Sequence, residues 1–148
     1  MGMRNMQQEI TFQSLNKLFP ENSDRYFACS DGTIWSNRNG VMKQLKPYDA
    51  GCGYYKVDLY IGGKIHKCRV NRLVAFAFTD NEDALEHPHL YVSHHINHVR
   101  KDNRVENLEL LKFWEHFDRH RIERDKNKSA EEKFQLGIDE NGGAELLA

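Results

Sequence analysis

Histidine can trade a proton with water near neutral pH, or hold a transition ion through its lone pair. Five of the eight histidines in this chain fall between Val92 and His120, in the stretch VSHHINHVRKDNRVENLELLKFWEHFDRH. An adjacent pair, His94 and His95, stands upstream of a second pair, His116 and His120, spaced i, i+4. Three imidazoles converging on one divalent ion would leave a coordination position open. The fourth would then be free to act as a base. A metal-bound imidazole has committed its lone pair, so one of the adjacent pair should ligate and the other should take a proton from water. The base also needs a polar partner to fix its tautomer, and Asn107 is the candidate.

Those roles demand particular elements. Neighbouring side chains on a strand point to opposite faces, so His94 and His95 can line one site only at a strand end, where the chain bends away. His116 and His120 share a face if they lie on a helix. The pattern supports both requirements. LYVSHHI reads as a strand, NHVRKDNRVEN as a long loop, LELL as a short strand, and Lys112 to about Lys126 as a helix with Phe113, Trp114 and Phe117 available to a core.

Upstream, RYFACSDGTIWSN reads as strand, Asp31-Gly32 turn, strand. In YYKVDLYI, Tyr55, Val57, Leu59 and Ile61 alternate with Lys56, Asp58 and Tyr60, and Gly62-Gly63 turns the chain into a return strand over Lys64–Val70. NRLVAFAF changes to a helical period, with Asn71 placed to cap it. Ile10, Phe12, Leu15 and Leu18 suggest one short amphipathic helix ending near Pro20, and a loop containing Pro88 precedes the histidine unit.

Composition sets the class. At 148 residues, with 29% charged residues, the chain can bury a modest core. The last nineteen residues hold five acids and one base; without them, 21 bases and 22 acids become 20 against 17, a mildly basic body. Cys29, Cys52 and Cys68 show no C-x-x-C pair and read as buried thiols. No run approaches the ~18 apolar residues of a membrane span, and MGMRNMQQEI lacks the apolar segment of a signal peptide. The expectation is a soluble cytoplasmic protein.

The residues also resemble a family. VSHHINHVRKDNRVENLE is similar to the HNH (ββα-metal, or His-Me finger) endonucleases in their phage- and intron-encoded homing form, roughly V-[DNH]-H-I-D-G-N-K-x-D-N-R-x-x-N-L-E. It keeps the histidine, the Asp102-Asn103-Arg104 turn and Asn107-Leu108-Glu109 at the family spacing. Upstream, YFACSDGTIWS, LKP, GYYKVDLYIGGK and RLVAFAF follow in the family's order, so the resemblance covers roughly Tyr26 to His120.

The resemblance implies an α+β protein. Residues 1–23 would be an N-terminal extension and 24–80 a small antiparallel sheet module with a short helix. Residues 84–124 would form the nuclease core and 125–148 a frayed acidic tail. It further implies that His95 is the general base, Asn107 its orienting residue, and His94 and His116 metal ligands. His120 resembles the third histidine of colicin-type DNases. One divalent ion, Mg, Mn, Zn or Ni, and double-stranded DNA would be cofactor and substrate. Arg100, Lys101 and Arg104, with His98, would contact phosphates. The rival expectations are a metal-stapled DNA-binding protein without catalysis and a colicin-like toxin DNase. The chain departs from the pattern at Asn71, where the family has histidine, and at Asn97-His98, where it has Asp-Gly.

Overall fold

Residues 9–126 are described by the computed structural model, so all but the first two residues of the acidic tail expected over 125–148 lie outside the described residues. Strands β1 (Phe12–Ser14), β2 (Tyr26–Cys29), β3 (Ile34–Arg38) and β4 (Val41–Gln44) form an antiparallel sheet in chain order. A second antiparallel sheet holds β5 (Tyr48–Asp49), β6 (Tyr55–Ile61) and β7 (Lys64–Arg69). Helices α1 (Val70–Phe78) and α2 (Glu82–Glu86) follow. Then β8 (Tyr91–His95) pairs with β9 (Leu108–Lys112), and α3 (Phe113–Lys126) closes the described chain. This is the α+β class that the sequence implies. The chain divides into two compact units after Leu111.

The β6–β7 hairpin shows why the alternation was readable. Val57, Leu59 and Ile61 are buried while Asp58 and Tyr60 face out. Gly62 and Gly63 take φ of 61° and 76°, the pair of left-handed residues that a tight hairpin turn requires. Val57 and Leu59 join Leu15, Tyr26, Ala28, Ile34, Leu73 and Val74 in one apolar cluster. Val105 and Leu108, beyond the histidine pair, pack against that same cluster. The two sheets are stitched by the Tyr60 amide, which donates to the Tyr26 hydroxyl at 3.1 Å. A smaller cluster of Phe76, Ala84 and Tyr91 lies under the start of β8.

Several local expectations are corrected. The helix expected from Ile10 to Leu18 is instead strand β1 followed by short 3-10 turns at Leu15–Lys17 and Pro20–Asn22. Pairing with β2, Phe12 opposite Cys29, overrides the weak helical period. Asn71 does not cap α1. Strand β7 runs directly into the helix with Arg69 as the extended cap residue, which puts Asn71 inside the first turn. There its side-chain amide donates to the Ser93 carbonyl at 3.3 Å, and the Ser93 hydroxyl donates back to the Asn71 carbonyl at 3.2 Å. The presumed loop around Pro88 contains α2, capped by the Asn81 side chain. Phe113, Trp114 and Phe117 are exposed, the first two rings packing edge-to-face on each other. Cys52 is exposed as well; Cys29 is buried, and burial pushes its thiol up in pKa. Among the described residues no helix is long and apolar enough to cross a membrane.

Candidate active site

Strand β8 is seated before it reaches the histidines. Arg72 of α1 donates to the carbonyls of Tyr91 at 2.8 Å and Pro88 at 2.5 Å, and the Tyr91 hydroxyl donates to Asp83. His94 and His95 end the strand, and both are buried, at 4% and 6% exposure. Their rings meet different neighbours, as adjacent strand residues must. His94 packs edge-on against the His98 ring at 5.4 Å. His95 places Nε2 2.8 Å from Oδ1 of Asn103 and lies 6.0 Å from the ring of Tyr54.

The loop between β8 and β9 is tied down by side chains, because it has little regular backbone pairing of its own. Asn107 is buried and fixes both ends of the bend. Its Oδ1 accepts from the Asn97 amide at 3.0 Å, and its Nδ2 donates to Oδ1 of Asn97 at 2.9 Å and to the Asp102 carbonyl at 2.8 Å. Its own carbonyl accepts from the Ile96 amide at 2.8 Å. Asn107 therefore acts on the backbone that follows His95, while the ring's hydrogen bond is to Asn103. The missing glycine is met by His98, a non-glycine residue at φ 64°. Asn97 helps by accepting from the Val99 amide at 2.9 Å, a local turn that asparagine favours.

The loop cations are all engaged. Arg104 grips Asp102 with two hydrogen bonds of 2.7 Å, which hold that carboxyl well below the usual carboxylate range, and it also reaches Glu106 at 3.2 Å. Lys101 pairs with Asp49 at 3.2 Å. Arg100 donates to the Cys52 carbonyl at 3.2 Å and lies 5.1 Å from the Tyr54 ring centre. Arg69, an exposed residue, lies closer to that ring at 4.2 Å. Two guanidinium groups thus gather at the aromatic ring next to His95. Sequence reasoning gave Asn103 and Arg69 no role and missed this use of Tyr54. The D-N-R turn drew attention to Asn103, but its ring contact depends on the path of the loop.

His116 lies half-buried on α3, and His120 lies on the same helix with its side chain outside the described residues. Among the described residues, no three His, Cys, Asp or Glu side chains gather in a way that could hold a metal ion. Of the two buried imidazoles on β8, His94 is the one not held by Asn103, a donor that suits transition ions better than magnesium. Chemically, the described site presents a buried imidazole held at one nitrogen, an anchored loop, and cations at its edge.

No known sequence family matches the chain, and no curated protein is significantly similar to it in sequence. In structure it is similar to the protein of "DNA binding and cleavage by the HNH homing endonuclease I-HmuI". The TM-score is 0.62 at 20% identity, covering 86% of this chain and 67% of that one. The two share a fold.

Proposed function

We propose that the chain is a metal-dependent HNH endonuclease that hydrolyses phosphodiester bonds of double-stranded DNA, by nicking or double-strand cleavage. The observation that carries this reading is the His95 ring, buried at the end of β8 and fixed through one nitrogen. A general base needs such a ring: oriented through one nitrogen, with the other left to take a proton. The fold shared with a DNA-cleaving HNH homing endonuclease supports it, as do the motifs of the phage- and intron-encoded homing form, which we take to be this chain's type.

In this reading His95 takes a proton from water as the oxygen attacks phosphorus. The new P–O bond forms as the bond to the 3′ oxygen breaks, leaving a 5′-phosphate end. Asn107 keeps the backbone after His95 in place. His94, His116 and His120 would hold the divalent ion, whose chemistry is to stabilise charge on the phosphate and the departing oxygen. Arg100, Lys101, Arg104 and His98 are the proposed phosphate contacts. The first three would have to exchange internal partners for phosphate, whereas exposed Arg69 beside Tyr54 is the additional contact we assign. The test is incubation of supercoiled plasmid with the full chain and Mg, Mn, Zn or Ni. Nicked or linear product that EDTA abolishes is the expected result. Intact plasmid with every ion, and with phage genomic DNA as a second substrate, overturns the reading.

A further inference from the structure

We infer that Asn103 is a positioning residue for His95: it holds the ring as the Nε2–H tautomer, leaving Nδ1 as the proton-accepting atom, and the β2–β3 turn at Gly32 sets where Asn103 stands. Its catalytic meaning rests on the reading of His95 as the base; the geometry does not.

Asn103 is 5% exposed and its Oδ1 lies 2.8 Å from Nε2 of His95. An amide oxygen has no proton to give. For this buried contact to be a hydrogen bond while the ring is neutral, Nε2 must carry the hydrogen. The lone pair then falls on Nδ1. A contact of two lone pairs at this distance in a water-poor site would be repulsive, so the amide selects one tautomer.

What holds Asn103 comes from far upstream in sequence. The Val105 amide donates to the Ser30 carbonyl at 3.0 Å, tying the loop to the β2–β3 turn. Two residues after Ser30 in that turn, Gly32 sits at φ +93° with its open side against the Asn103 backbone. A Cβ at Gly32 would stand 2.6 Å from the carbonyl carbon of Asn103, 2.7 Å from its oxygen and 2.9 Å from the Arg104 nitrogen. These are backbone atoms, so a side chain there has to push the loop segment away. The Asp31-Gly32 turn therefore does more than reverse a hairpin: it is the seat of the residue that orients His95. Gly40 is the natural control. It has a similar φ of +83° in the β3–β4 turn, with nothing within 4 Å of its missing Cβ.

The experiment uses the full chain labelled with 15N at histidine, at a pH where the His95 ring is neutral, together with steady-state nicking. Wild type is expected to show a pyrrole-like Nε2 and a pyridine-like Nδ1. Asn103→Ala is expected to give a tautomer mixture and a loss in kcat of roughly 10- to 100-fold, with KM little changed. Asn103→Asp keeps an acceptor at that position and should restore the Nε2–H form. Gly32→Ala should follow Asn103→Ala in both readouts, while Gly40→Ala, at a similar left-handed φ, should follow wild type. An Nδ1–H tautomer in wild type overturns the proposal. So does an unchanged tautomer in Asn103→Ala, or equal losses in the two glycine variants. Absence of nicking by wild type would instead defeat the nuclease reading, since the ring spectra report on Asn103 without any activity.

Discussion

Asp102 carries four hydrogen bonds to its carboxylate, two from the Arg104 guanidinium, one from the Arg104 amide and one from Asn97, and its pKa is depressed chiefly by the Arg104 side chain. A depressed carboxylate stabilises the fold above its unfolded pKa, about 4, and loses that contribution as pH falls toward the folded value. Asp102→Asn should therefore cost roughly 1 kcal/mol at neutral pH, since the partners are partly exposed. The gap to wild type should close as thermal melts are repeated below about pH 4. Asn107 is a heavier anchor, because it is buried and its side chain makes three hydrogen bonds to the loop. Asn107→Ala should lower stability by about 2–3 kcal/mol in urea melts. The position of Asn107 in the pattern was legible in the sequence, whereas its contacts were not. Four asparagines, Asn97, Asn103, Asn107 and Asn71, carry the polar architecture around the histidines, and identical side chains give no sign of which carbonyl or ring each will meet.

Elements with a strong period were legible. The β6–β7 hairpin follows from alternation and the Gly62-Gly63 turn, α1 from its change of period, and β8 from a short apolar run that ends in the histidines. Strands β1, β4 and β5 were not, since Phe12–Ser14, Val41–Gln44 and Tyr48–Asp49 are short and become strands only through their partners. The amphipathic look of the first residues gave way for the same reason. Leu59 tests the weight of the readable hairpin. It is fully buried in the main cluster, so Leu59→Ala should cost about 2–5 kcal/mol by the lost contacts and the cavity left behind. A loss under about 1 kcal/mol in equilibrium unfolding would mean that the hairpin is not central to the core.

At the scale of the molecule, the upstream sheets and the loop around His95 draw on one apolar cluster, because Val105 and Leu108 pack on the residues that hold the sheets together. Leu59→Ala should then lower the melting midpoint of the sheet signal and of the His95 resonances together. Two separated midpoints would mean that the sheet module and the histidine loop fold independently. Sequence order suggested a module followed by a catalytic unit, but could not reveal this shared core, which depends on contacts between segments far apart in the chain. The central claim is that His95 is the base of a DNA-cleaving site. Its most direct test is supercoiled plasmid cleavage by wild type and His95→Ala, side by side, with thermal melts and metal-binding titrations of both. Metal-dependent nicking by wild type is expected, with a loss of at least about 100-fold in the variant and with folding and metal binding retained. Equal nicking by both proteins would contradict the claim.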